Sequence, residues 1–202
     1  NLTDPAGQVL TTADWAETGV HIASCDLAAL LVKPGITTLS KLSTLKHYWS
    51  WPGEILLNLS SLPLNKQGVF QVHSTFDGRT LRFTQEDILK LIEQLKPDYL
   101  TCSDEFKPLI SKHFQNYQHD LKVNNQPSED ALNGIIYTHN NIRFNIQKDT
   151  CTNDFWVLGS SCKCPACAAE LTRAYFHHLY VHTPLLCQRW LIMHNQWITH
   201  HS

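Results

Sequence analysis

The stretch Cys162-Lys163-Cys164-Pro165-Ala166-Cys167 places three thiols within six positions of one loop. Thiolates so close in sequence can share one ion without distant folding. A structural zinc ion takes four protein donors in a tetrahedron: four cysteines, three cysteines with one histidine (a Cys3His set), or two of each. The loop therefore needs one more ligand, and the downstream candidates are His177, His178, His182, Cys187 and His194. Helical spacing ranks them. Thr183-Pro184 reads as an N-cap followed by proline at the first helical position. Along the helix that starts there, Leu186, Trp190, Met193 and Trp197 fall four, three and four residues apart. His194 lies at the edge of that face and is expected to point inward, toward the preceding helix and its loop. A buried imidazole needs a partner. A backbone carbonyl is the ordinary one, but opposite three cysteines a metal is favoured, with His178 and His182 next in rank. Four protein ligands leave no position for water, so the expected role is structural. Such a site contributes on the order of 10 kcal/mol to folding in zinc-finger peptides.

Outward from this loop the pattern is mixed. A helix is expected over 168–181 and a second from Pro184. Two short strands, 135–137 and 142–146, are joined through His139-Asn140-Asn141. The polar stretch 122–130, with one proline, reads as a loop or linker. The first part of the chain reads as α/β. A short helix over 13–18 ends at Gly19, strands are expected at 20–23 and 54–57, and Lys33-Pro34-Gly35 is a turn. Ile36, Leu39, Leu42 and Leu45 predict a helix over 36–48. Strands 69–73 and 80–83 flank Asp77-Gly78 as a hairpin. Thr84 and Asp87 resemble a capping box for a helix carrying Ile88, Leu91, Ile92 and Leu95, which Pro97 stops. Residues 98–102 then form a strand.

Composition narrows the class. The 202 residues are 43% hydrophobic, enough to bury a core and to exclude wholesale disorder. The net charge of −2 excludes a global basic field, so any nucleic-acid binding must rest on a local patch. Twelve histidines and seven cysteines are the oddities. Three cysteines cluster, while Cys25, Cys102, Cys151 and Cys187 are dispersed. An odd total with one tight cluster predicts a reducing compartment with one metal site, not a secreted disulfide framework. No apolar stretch is long enough to span a membrane. The polar start, Asn1-Leu2-Thr3-Asp4, lacks the regions of a signal peptide, and an opening at Asn rather than Met fits a processed or trimmed chain. The expected location is cytoplasmic.

Cys162-x-Cys164-x-x-Cys167, then 172–179 (TRAYFHHL), then Met193-His194-Asn195 resembles the zinc region of the tRNA-guanine transglycosylases, the queuine tRNA-ribosyltransferases. The resemblance implies Cys162, Cys164, Cys167 and His194 as the zinc ligands. Weaker similarity runs through 17–20 to 31–35, through 76–78 and 84–87, through 97–105 and through 132–146. It implies a (β/α)8 barrel with a zinc subdomain. It also implies exchange of an anticodon guanine for a queuine-type base, with an aspartate nucleophile and further aspartates that recognise the base.

The departures from the family pattern decide the expected function. Leu57-Asn58-Leu59-Ser60-Ser61 matches the family's Thr-Asp-Ser-Gly-Gly motif, with Asn58 where the aspartate should be. An amide is no general base near neutral pH. Residues 106–131 replace several βα units, including the strand that carries the nucleophile, and are too few for a βαβ crossover with its strands. A closed barrel needs about 250 residues. The fold expected is thus α/β: a reduced, barrel-like core over 1–131, then a short β segment and a Cys3His zinc-binding helical subdomain over 132–202. Asp104 matches a base-recognising aspartate and, with Asn58, is a candidate base-binding residue; its plainer role is to cap a strand. Asp77 reads as a turn residue. Arg173, Tyr175 and His178 are candidates for a subunit interface or RNA contact, with Arg173 meeting phosphate or a carboxylate; the alternative is an ordinary amphipathic helix. The first expectation is a non-catalytic zinc protein acting as an accessory subunit, as a homodimer or a heterodimer with an active transglycosylase, or binding tRNA. The alternatives are a residual enzyme on a guanine- or queuine-type base or nucleoside, and a zinc-pinned scaffold with no nucleotide ligand.

Overall fold

The computed structural model describes residues 1–65, 67–115, 121, 123–138 and 142–201. It forms two compact units, one of residues 1–4 and 21–123, the other of residues 5–20 and 124–202. Helix α1 (Thr12–Glu17) therefore belongs to the second unit, although it opens the chain.

The first unit is built on three parallel strands. β1 (Ile22–Asp26) pairs with β2 (Glu54–Asn58), which pairs with β5 (Tyr99–Thr101). Their centres, Ala23, Cys25, Ile55, Leu57 and Leu100, are all buried, as expected of parallel strands covered on both faces. The β1–β2 crossover holds α2 (Leu27–Leu30), α3 (Ile36–Leu39) and α4 (Leu45–Trp49). The single helix expected over 36–48 is thus two. The chain turns between them, and Thr44 starts α4 by accepting a bond from His47 N. Leu39 and Leu45 still reach the core. The first strand also sits slightly later than 20–23.

The hairpin of β3 (Val69–His73) and β4 (Thr80–Thr84) is antiparallel, with Val72 opposite Leu81. Gly78 adopts φ 71° at its turn, a conformation glycine takes without strain. Helix α5 (Gln85–Leu95) begins on the expected capping box: Thr84 Oγ1 accepts from Asp87 N, and Asp87 Oδ2 accepts from Thr84 N. After β5, α6 (Lys107–His113) is the last helix of this unit among the described residues.

The second unit departs most from expectation. The polar stretch read as a loop contains α7 (Gln126–Leu132), with Pro127 in its first turn. Pro127, Ser128 and Ala131 are buried, so a narrow face of small residues suffices to pack it. β6 (Ile135–Tyr137) and β7 (Arg143–Asn145) pair antiparallel as expected; the join at residues 139–141 lies outside the described residues. The helix expected over 168–181 is divided. α8 (Pro165–Ala168) is one turn inside the cysteine loop, and α9 (Arg173–His182) starts at its own N-cap, Thr172. α10 (Pro184–His201) begins at the expected proline. Its buried residues include Cys187, Leu191, His194, Asn195 and Ile198. Of the expected face Met193 is buried, Trp190 and Trp197 are half-buried and Leu186 is exposed; residues 191–196 are buried on every side of the helix, His194 among them.

No helix is long and apolar enough to cross a membrane among the described residues.

Candidate functional site

Three elements converge in the second unit. The cysteine loop supplies Cys162, Cys164 and Cys167, and Cys164 caps α8 by accepting from Cys167 N. α10 supplies His194. The three Sγ atoms and the imidazole all lie within 4.8 Å of one another. His194 Nδ1 stands 3.7, 3.3 and 3.5 Å from the sulfurs of Cys162, Cys164 and Cys167. A tetrahedral ion with Zn–S near 2.3 Å and Zn–N near 2.0–2.1 Å sets S···N edges of about 3.5 Å. The four donors thus fit one tetrahedral ion. Cys164 and His194 are completely buried and the other two cysteines nearly so, so no fifth position faces solvent. Backbone amides of Cys164 and Cys167 point at the sulfurs of Cys162 and Cys164, 3.4 Å each.

The imidazole is oriented from behind. Its Nε2–H donates to Tyr137 O at 2.9 Å, which leaves the Nδ1 lone pair facing the sulfurs, the arrangement that fixes a metal-binding tautomer. Tyr137 is anchored in turn: its amide donates to Asn195 Oδ1 and its hydroxyl to Asp130 Oδ2. Burial, then the Asp130 bond, pushes the Tyr137 phenol up to about 12. Asn195 also donates through Nδ2 to Pro127 O and Ile135 O. Gly159 lets the backbone pass close by, since a Cβ there would lie 3.2 Å from Cys162 Cβ. Hydrogen bonding from Cys164 and Cys167 holds the Cys162 thiol well below its ordinary range, while bonds to Cys162 and Cys164 raise that of Cys167. Burial opposes charge on His194, but the neighbouring sulfurs outweigh it and raise the imidazole to about 9.

The chain matches the family described as queuine tRNA-ribosyltransferase, over residues 2–124 and 119–202. The chain belongs to this family. No curated protein matches it. The two matched segments meet within 119–124, inside the interval where the family's βα units were expected to be lost.

The remaining candidates are distributed as follows. Asn58 ends β2, in register with Asp26 and Thr101 at the C-terminal ends of the parallel strands, and its Oδ1 accepts from Ser60 N. Asp104 is exposed on the turn after β5. Asp77 accepts from Arg79 N and Arg79 Nε; the Arg79 bond lowers its carboxyl to about 2, as befits a turn residue. Arg173 meets a carboxylate, Asp154 Oδ2 at 3.1 Å, and lies over the Phe144 ring. Tyr175 is exposed. Of the other histidines, His177 is fully engaged: Nδ1–H donates to Ile146 O and Nε2 accepts from Thr152 Oγ1. Cys187, another candidate ligand, is buried and donates to Phe176 O, and burial pushes its thiol up to about 12. None of the seven cysteines is in a disulfide.

Three residues went unassigned in the sequence. Tyr137 works through its carbonyl, which no residue pattern signals. Asn195 was visible only as half of the His-Asn pair. Asp26 caps α2 through Ala29 N and accepts from Ser61 Oγ at the same strand ends as Asn58; only its place after a buried apolar run hints at that.

Proposed function

We propose that this family member is a zinc-stabilised accessory or partner subunit in queuosine-type tRNA modification, without transglycosylase activity of its own. One observation carries the reading. Asn58 stands at the C-terminal end of β2, where barrel enzymes keep their catalytic groups, and an amide cannot accept the proton that the family's aspartate would. The interval after Glu105 agrees: its described residues form α6 and most of α7 and no strand. Three parallel strands with their crossovers suit a reduced (β/α) barrel.

Zinc is the ion that the Cys3His set favours, held by Cys162, Cys164, Cys167 and His194 in a structural role. The partner is a second copy or an active transglycosylase, with tRNA as the shared ligand. Tyr175, Val181, Leu185 and Leu186 are exposed on α9 and α10, and apolar groups of this kind suit a protein contact. The net charge of −2 favours such a contact over strong independent tRNA binding. A guanine-exchange assay tests the proposal. The chain alone is expected to give no exchange and to co-elute with an active transglycosylase; robust turnover by the chain alone overturns it.

A further inference from the structure

The twelve histidines are not used up by the Cys3His cluster. On α9, His178 and His182 sit one helical turn apart with ring centroids 4.4 Å from each other and planes inclined by 40°. His178 and His182 are both exposed. Among the described residues neither ring has a hydrogen bond or ion pair, in contrast to His177 on the same helix, whose two nitrogens are both taken. Two histidines at i and i+4 form the smallest helical chelate for a transition metal.

We propose that His178 and His182 form a second metal site, separate from the Cys3His cluster, for a divalent ion of tetragonal preference such as Ni2+ or Cu2+. The rings are close enough for each to turn one nitrogen toward a shared ion. Imidazole suits these ions, and their affinities stand at the top of the divalent series. Two protein donors leave the other positions to water, so the site is open and exchangeable, unlike the buried cluster. It does not depend on the proposed function.

The test uses the full chain with its Cys3His site loaded with zinc, titrated with Ni2+ by calorimetry. One equivalent of Ni2+ is expected to bind with zinc content unchanged. His178→Ala and His182→Ala should each weaken it at least tenfold, and the double variant should abolish it, with circular dichroism and zinc content as in the parent. His182→Asn, which keeps a polar side chain of similar size, provides an independent variant with the same expected weakening. Ni2+ binding that persists in the double variant, or its absence from the zinc-loaded parent, overturns the site.

Discussion

Burying His194 would be costly if either ring nitrogen lacked a partner. Tyr137 O satisfies Nε2, and three sulfurs face Nδ1 at bonding-edge distances. His194→Ala should therefore lower zinc affinity by more than about 100-fold, beyond the 10–100-fold typical of losing an orienting partner alone. Competition against a chromophoric chelator reads this, and unchanged retention would remove His194 from the ligand set. The four-donor cluster was legible in the sequence because zinc chemistry demands a fourth donor and the inward side of the last helix offers His194. A second residue, Asp14, makes a two-pronged contact in which Arg189 Nε and Nη2 donate to Oδ2 and Oδ1. Burial raises the Asp14 carboxyl, but the Arg189 bond and those from Thr11 outweigh it, so it lies below its ordinary value. A depressed carboxyl stabilises the fold above its unfolded pKa of about 3.9 and loses that contribution as pH falls through the folded value. Asp14→Asn should cost about 2 kcal/mol at pH 7, and its gap from the parent in urea unfolding should shrink below pH 4. A gap that stays constant with pH would show the carboxylate charge to be irrelevant.

At the scale of elements, α10 is the strut of the second unit. Asn195 alone ties it to α7 through Pro127 O, and to β6 through Ile135 O and Tyr137 N. Gln196 adds a bond from Nε2 to Ser128 Oγ at 2.7 Å. Helix α7 was illegible in the sequence for this reason. Its stretch is polar, its buried face is Pro127, Ser128 and Ala131, and side chains more than sixty positions away fix it. By contrast α5 was legible, since its cap and its apolar stripe are both local. The all-round burial of α10 over 191–196 has a related cause: polar bonding lets Asn195 and Gln196 be buried beside Met193 and His194, where apolar spacing alone marked a single face. Asn195→Ala leaves one buried amide and two carbonyls without partners, each worth about 1–3 kcal/mol when unsatisfied. The variant should thus lose at least about 3 kcal/mol in denaturant unfolding while the four metal ligands remain intact. A loss under about 1 kcal/mol would show that water replaces these bonds.

At the scale of the whole molecule, metal removal separates the two units by their sources of stability. The first unit has a parallel sheet whose buried centres are Ala23, Cys25, Ile55, Leu57 and Leu100, and its core involves no metal donor of the cluster. The second has a two-stranded sheet and several helices around the cluster. A two-stranded sheet alone is marginal in water. Structural zinc contributes about 10 kcal/mol or more, comparable with the whole net stability of an ordinary domain, about 5–15 kcal/mol. Chelation should therefore raise amide hydrogen exchange throughout α7, β6, β7 and α8–α10 while β1, β2 and β5 keep their protection. Helix α1 is the discriminating element. It lies far before the cysteine loop in sequence, yet Asp14 fastens it to Arg189 of α10, so it should lose protection together with the metal unit and not with the strands that follow it in sequence. If the amides of β1, β2 and β5 open at the same chelator concentration as those of α10, the two units unfold as one and the metal stabilises the entire chain. If α1 alone stays protected, the Asp14–Arg189 pair does not hold it to α10.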